Sequence, residues 1–239
     1  METRVTLQPA YVLHRTPFQN SSLLVDFFTA DYGRVRAVAK GARGAKSRVR
    51  SLLQPFHPLL ISFSGRTELK TLTGVEAVHE ALRLQSTRLY SGLYVNELLT
   101  RLLQNHEEHR ALYGFYQDTL VALQGESRVD ATLRHFELSL LSELGYGINF
   151  DTDTDTQAPI AEDLMYRFDP KLGFGLCAGD ETVQGILGRV LVAVREGRFE
   201  EAEAARAAKQ ISRLALAVQL GPRPLSSRSL FVNLRAKPE

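Results

Sequence analysis

The hydrophobic pattern of this chain changes period once, near residue 80, and that change limits its architecture more than any other feature. Before it, apolar residues come in short β-prone runs broken by turn residues; after it they recur at helical spacings. A block of strands followed by a block of helices predicts an α+β protein in which the two are segregated. The candidate strands are residues 10–14, stopped by Pro17, then 22–29, 34–40, 59–63 and 68–75, with turns over 30–33 and 64–67. Five short strands with no long helix between them predict a small barrel, which leaves no exposed sheet edge. An oligonucleotide-binding barrel is the leading choice and an SH3-like barrel the alternative.

Within the third strand, alternation places Arg34 and Arg36 on one face and Val35 on the other. From Arg34 to Arg50 there are seven Lys and Arg and no acid, on a segment kept slim by glycine and other small residues. Such a segment suits phosphate contact, which needs charge more than base-matching geometry; a solvated loop is the competing reading. Phe18, Tyr32, Phe56 and Phe63 are possible stacking platforms beside it, although core packing is the commoner use of each, and Tyr32, in a turn, is the least core-like. The charge of the whole chain supports the same division. Residues 1–75 carry 11 Lys and Arg against 4 Asp and Glu, whereas the rest is net −5, so a formal +2 hides a basic first third and an acidic remainder.

In the helical part, a stripe of leucines over 81–103 predicts a helix with a kink or break near Gly92. Further helices are expected over 107–123, from Asp130 or Thr132 to Leu144, over 183–195 and over 200–220, with a short hairpin at 166–177 between the third and fourth. On the last helix Arg206, Lys209 and Arg213 share one side; they suit an acidic peptide or form a wet face.

Motifs for chemistry are missing. The chain has no phosphate-cradling glycine loop with Lys, no nucleophile elbow and no H-E-x-x-H. His106 and His109 have no third ligand nearby in sequence. The Asp151-Thr152-Asp153-Thr154-Asp155 alternation lacks the central glycine and closing glutamate of a calcium loop and reads as a solvated acidic loop. Cys177 is the single cysteine, so neither an internal disulfide nor a multi-cysteine metal site can form. A binding protein without catalysis, cofactor or metal is expected. No apolar run approaches a membrane span and no secretory h-region follows Met1, so a cytoplasmic chain is expected.

Several segments taken together resemble the bacterial DNA repair and recombination mediator RecO family. They are residues 10–14, 33–43 (GRVRAVAKGAR), 53–56 (LQPF), 89–99 (LYSGLYVNELL), 134–137 (RHFE), 144–147 (LGYG), Lys209 and 224–228 (PLSSR). The resemblance implies an oligonucleotide-binding DNA-binding domain over 1–80 and a helical domain over 81–239. It also implies an inserted region at about 147–180, held in many members by a four-cysteine zinc site that a lone Cys177 cannot form. It implies binding of single- and double-stranded DNA and annealing of complementary strands coated with single-strand binding protein. The implied partners are the acidic C-terminal tail of that protein, RecR and, indirectly, RecA, in the RecFOR pathway and near the nucleoid. On that reading Arg34, Arg36, Lys40, Arg43, Lys46, Arg48 and Arg50 contact DNA phosphates. Arg134 lies where the family has a basic residue of the tail pocket, with Arg206, Lys209 and Arg213 completing its rim and Leu133 and Phe136 bordering its floor or packing in the core. A non-enzymatic barrel adaptor for RNA or protein is the alternative.

Overall fold

Strand β1 (Thr3–Phe18) serves two neighbours, β4 (Leu59–Gly65) along its first half and β2 (Ser22–Thr29) along its second. Register shifts between Val5 and Gln8 and between Val12 and His14 bend it from one partner to the other. The bend is why the strand runs far beyond the expected 10–14 and continues through Pro17. The computed structural model describes residues 3–45, 47–177 and 185–235. β2 forms a hairpin with β3 (Gly33–Ala39), β3 pairs in parallel with β5 (Lys70–Ala77), and β5 returns antiparallel to β4. The order β1-β2-β3-β5-β4 closes into a five-stranded barrel of the oligonucleotide-binding type. The parallel β3–β5 pair separates it from the SH3-like alternative, whose strands are antiparallel.

Period-two alternation fills the barrel. Leu23, Val25 and Phe27 meet Val35, Ala37 and Ala39, with Ile61 and Phe63 from β4. Full burial of each large apolar side chain stabilises by roughly 1.5–3 kcal/mol. Ala42 and Leu53, on either side of the short helix α1 (Val49–Leu52), are fully buried in the same core.

The chain divides into two compact units: residues 3–126 with 225–235, and the described residues of 127–224. The first unit therefore holds α2 (Ser86–Leu102), α3 (Arg110–Gln124) and α7 (Ser227–Arg235) besides the barrel. α2 runs unbroken through Gly92. The glycine marks a close approach and no break: a Cβ there would stand 2.7–2.9 Å from Leu84 and the Phe56 ring. One turn later, Asn96 is buried and donates to the carbonyls of Val12 and Leu13 while accepting from the Tyr116 hydroxyl at 2.8 Å. Burial pushes the Tyr116 phenol well up from its usual range, so it stays a donor. Helix α7 has no counterpart in the sequence-based expectations.

In the second unit α4 (Val129–Glu143) packs on α6 (Ala202–Leu220), and α5 (Gly188–Arg195) on α6. The expected start of α5 at Val183 lies outside the described residues. The hairpin β6 (Met165–Asp169) and β7 (Gly173–Leu176) forms as expected, with β8 (Ile186–Leu187) added beside β6. Tyr166, Phe174, Leu191, Phe199 and Ile211 make its core.

Candidate nucleic-acid interface

The segment after β3 leads from the barrel wall to α1. Lys40 is exposed, Ala42 plugs the core, and Arg43 is exposed again. The backbone N–H of Arg43 donates to Ser21 at 2.8 Å and its guanidinium to the carbonyl of Gln19 at 3.3 Å, so the segment is tied to the β1–β2 turn. It is therefore more firmly seated than the flexible loop its composition predicts, because small residues let the backbone lie against the barrel. Arg48 and Arg50 are exposed around α1. None of Lys40, Arg43, Arg48 and Arg50 makes an ion pair among the described residues. Lys46 lies outside the described residues.

Arg15 joins this end of the barrel from β1, a residue that sequence reasoning missed. It donates to Gln54 at 2.7 Å, and Gln54 donates to the Arg50 carbonyl. Burial first, and the nearby Arg50 charge second, hold its guanidinium below its ordinary value. The only signal for it in the sequence is an isolated cation far along the chain from Arg50, the residue it approaches. Of the aromatic candidates, Phe56 and Phe63 are core residues. Tyr32 sits in the β2–β3 turn, at the far end of β3 from Lys40, and packs edge-on against Phe63 at 5.7 Å. Phe18, half-buried at the end of β1, is the one beside the basic segment.

Arg34 and Arg36 do project from the outer face together, as alternation requires, but they are not free cations. Both guanidiniums bind Asp26, at 2.8 Å and 3.0 Å, and the Arg34 side chain is only 13% exposed. The two arginines expected to contact phosphate are here paired with an acid that is distant in sequence and adjacent in the sheet.

The residues expected to form a peptide pocket divide between the core and the exposed side of α6. Arg134 is buried on α4, donates to Glu137 at 2.6 Å and to Ser212 at 3.3 Å, and Ser212 donates to the other Glu137 oxygen at 2.5 Å. Leu133 and Phe136 are core residues. Arg206, Lys209 and Arg213 lie on the exposed side of α6, while Ala207, Ala208, Ile211 and Ser212 face inward. Arg134 is thus a buried anchor, since α4 turns that position toward α6. A cavity of about 630 Å³ opens elsewhere in this unit, between the 145–149 segment, the acidic loop, the β6–β7 turn and α6. Tyr146, Leu172 and Val218 are exposed around it.

The acidic loop folds on itself. Buried Asp153 accepts from the backbone of Asp155 and Thr156 and from the Thr156 hydroxyl, which comes first among the groups holding its carboxyl below the usual range. Among the described residues no three metal-ligating side chains cluster. The residues of the 147–177 segment therefore do not fit a four-cysteine zinc site; hairpin pairing, the Asp153 turn and the Tyr166–Phe174 core hold it instead. No helix is long and apolar enough to cross a membrane among the described residues.

Two family models match in tandem, Recombination protein O N terminal over residues 1–81 and Recombination protein O C terminal over residues 83–229. The chain belongs to the recombination protein O family. It is 44% identical over 229 residues to the DNA repair protein RecO of Cellvibrio japonicus, covering 95% of this chain and 97% of that one. It is 43% identical over 232 residues to the protein of the same name from Yersinia pestis, covering 97% and 96%. Several segments that carried the resemblance to the RecO family are framework. In 33–43, Gly33 has φ +55° and admits no Cβ, which would collide with the Glu107 carbonyl. In 89–99 the framework residues are Gly92, Asn96 and Glu97, and in 224–228 they are Ser226 and Ser227, which Glu97 holds.

Proposed function

We propose that this chain is a non-catalytic recombination mediator whose barrel binds DNA phosphates through Lys40, Arg43, Arg48 and Arg50, with Arg15 beside them and Lys46 in the same run. Membership of the RecO family carries the coarser part, a role in DNA repair and recombination. The observation that supports the rest is a set of exposed cations, without ion pairs among the described residues, gathered at one end of an oligonucleotide-binding barrel. Cations without acid partners release counterions when they meet phosphate, and this favours single and double strands alike with little regard to sequence. Phe18 offers a ring to an unstacked base at the same end. Neutralising two strands at once lowers their repulsion, which is what annealing requires.

The helical unit is assigned the acidic C-terminal tail of single-strand binding protein, with Arg206, Lys209 and Arg213 as the cations that meet its carboxylates. RecR is assigned as the partner with which RecA is loaded onto the freed strand, in the cytoplasm at the nucleoid.

The test is annealing of two complementary labelled strands coated with the cognate single-strand binding protein, beside a version of that protein without its tail, across a salt series. Fast, salt-sensitive annealing that needs the tail is expected. Annealing of bare strands alone removes the tail assignment. With folded protein, no annealing of either leaves the barrel as an adaptor for RNA or protein.

A further inference from the structure

Asp26 stands at the centre of the outer face of β2. In register it lies across from His14 of β1 on one side and Arg36 of β3 on the other. Its side chain is only 4% exposed, because two guanidiniums cover it. Arg34 gives Oδ1 its Nε at 3.1 Å and Nη2 at 2.8 Å; Arg36 gives Oδ1 its Nε at 3.0 Å and Oδ2 its Nη2 at 3.3 Å. Two arginine forks on one small oxyanion is the arrangement that a phosphate group takes. The two arginines differ in freedom. Arg34 also donates to the Leu103 carbonyl and is 13% exposed, whereas Arg36 is 41% exposed and has no other partner among the described residues.

Positions 34, 36 and 38 share one side of β3, and Lys40 follows directly after the strand's last residue, Ala39. Arg36 and Lys40 are four residue steps apart, at most about 13 Å at the rise of a strand. Arg36 therefore flanks the basic end of the barrel, and Asp26 cancels its charge there.

We propose that Asp26 is a built-in phosphate competitor that withholds Arg36 from nucleic acid and so keeps the barrel's grip on DNA below what its cations permit. A mediator that must leave the strand gains from this, because a weaker electrostatic hold releases sooner. The inference rests on the reading of the barrel as a DNA-binding surface and names a regulator of that surface.

Fluorescence anisotropy of a labelled oligothymidine, run as a salt series, tests it with Asp26→Asn, Arg36→Gln, the two combined, and the Lys40→Glu/Arg43→Glu double variant as control. Asp26→Asn is expected to bind about three- to tenfold more tightly at low salt, with the slope of log affinity against log salt steeper by about 0.7. Arg36→Gln alone is expected to change affinity by less than about twofold and to erase the gain when added to Asp26→Asn. A folded Asp26→Asn protein with unchanged or weaker binding overturns the proposal. If that variant does not fold, Arg36→Gln decides, since a loss of about tenfold on its own means that Arg36 already touches DNA. If the control loses binding while Asp26→Asn gains none, the competitor is refuted and the DNA surface stands. If neither variant changes binding, the DNA surface itself falls, and the competitor with it.

Discussion

The carboxylate of Glu97 accepts the backbone N–H of Ser227 at 2.8 Å, and so α2 caps a helix that begins 130 residues further along. Its other oxygen takes the N–H of Ser226 at 2.7 Å. A helix N-terminus has N–H groups without partners and a positive end, and one glutamate serves both needs. Tyr90 of α2 adds an edge-on contact with Phe231 of α7 at 6.0 Å.

Glu97→Gln should loosen α7 by about 0.5–1 kcal/mol, at the low end because the carboxylate is partly exposed. Burial pushes the Glu97 carboxyl up, but the Ser227 side chain, the N–H groups of Ser227 and Ser226, and nearby Arg101 outweigh it and hold it below the usual range. A depressed folded value means that the contribution is complete above the ordinary glutamate value of about 4.3 and is lost as pH falls through the folded one. Hydrogen-exchange protection over 225–235, with the intrinsic pH dependence of exchange divided out, should therefore fall on acidification in the natural protein and vary less with pH in the variant.

Asn96→Ala should cost about 2–4 kcal/mol. It strands the Tyr116 hydroxyl and the carbonyls of Val12 and Leu13 inside the first unit. Tyr116→Phe removes one donor and leaves one Asn96 acceptor unmet, so it should cost less. A urea melt of each variant gives the comparison, and equal midpoints would remove Asn96 as the hub.

Arg134→Ala should behave as a stability variant. It leaves Glu137, 1% exposed, without its guanidinium, a loss of about 3–5 kcal/mol for a buried pair. Thermal unfolding should show it. Reversal of Arg206, Lys209 and Arg213 to glutamate should leave the melt nearly unchanged, because all three are exposed, and should weaken an acidic tail peptide in calorimetry.

Reversing Lys40 and Arg43 to glutamate should lower DNA affinity at low salt by at least about tenfold and flatten its salt dependence. The fold should survive, since neither side chain is buried. Equal affinity in the folded double variant would move the DNA site off this end of the barrel.

What the sequence determined by itself is local. Alternation told that Val35 faces away from Arg34 and Arg36 on β3, leucine spacing told where most of the helices lie, and the unbroken run of cations marked the basic end, because each of these is a property of neighbours along the chain. Tertiary structure decided the rest. Asp26 took Arg34 and Arg36, Arg15 came to Arg50, Glu97 received α7, and α4 turned Arg134 inward onto Glu137 and Ser212. α7 is the clearest case: its nine residues are too few to hold a helix alone, and its cap comes from another helix. Charge partners and caps are set by which elements the fold lays side by side. That depends on strand order and helix packing, and no spacing along the chain records it.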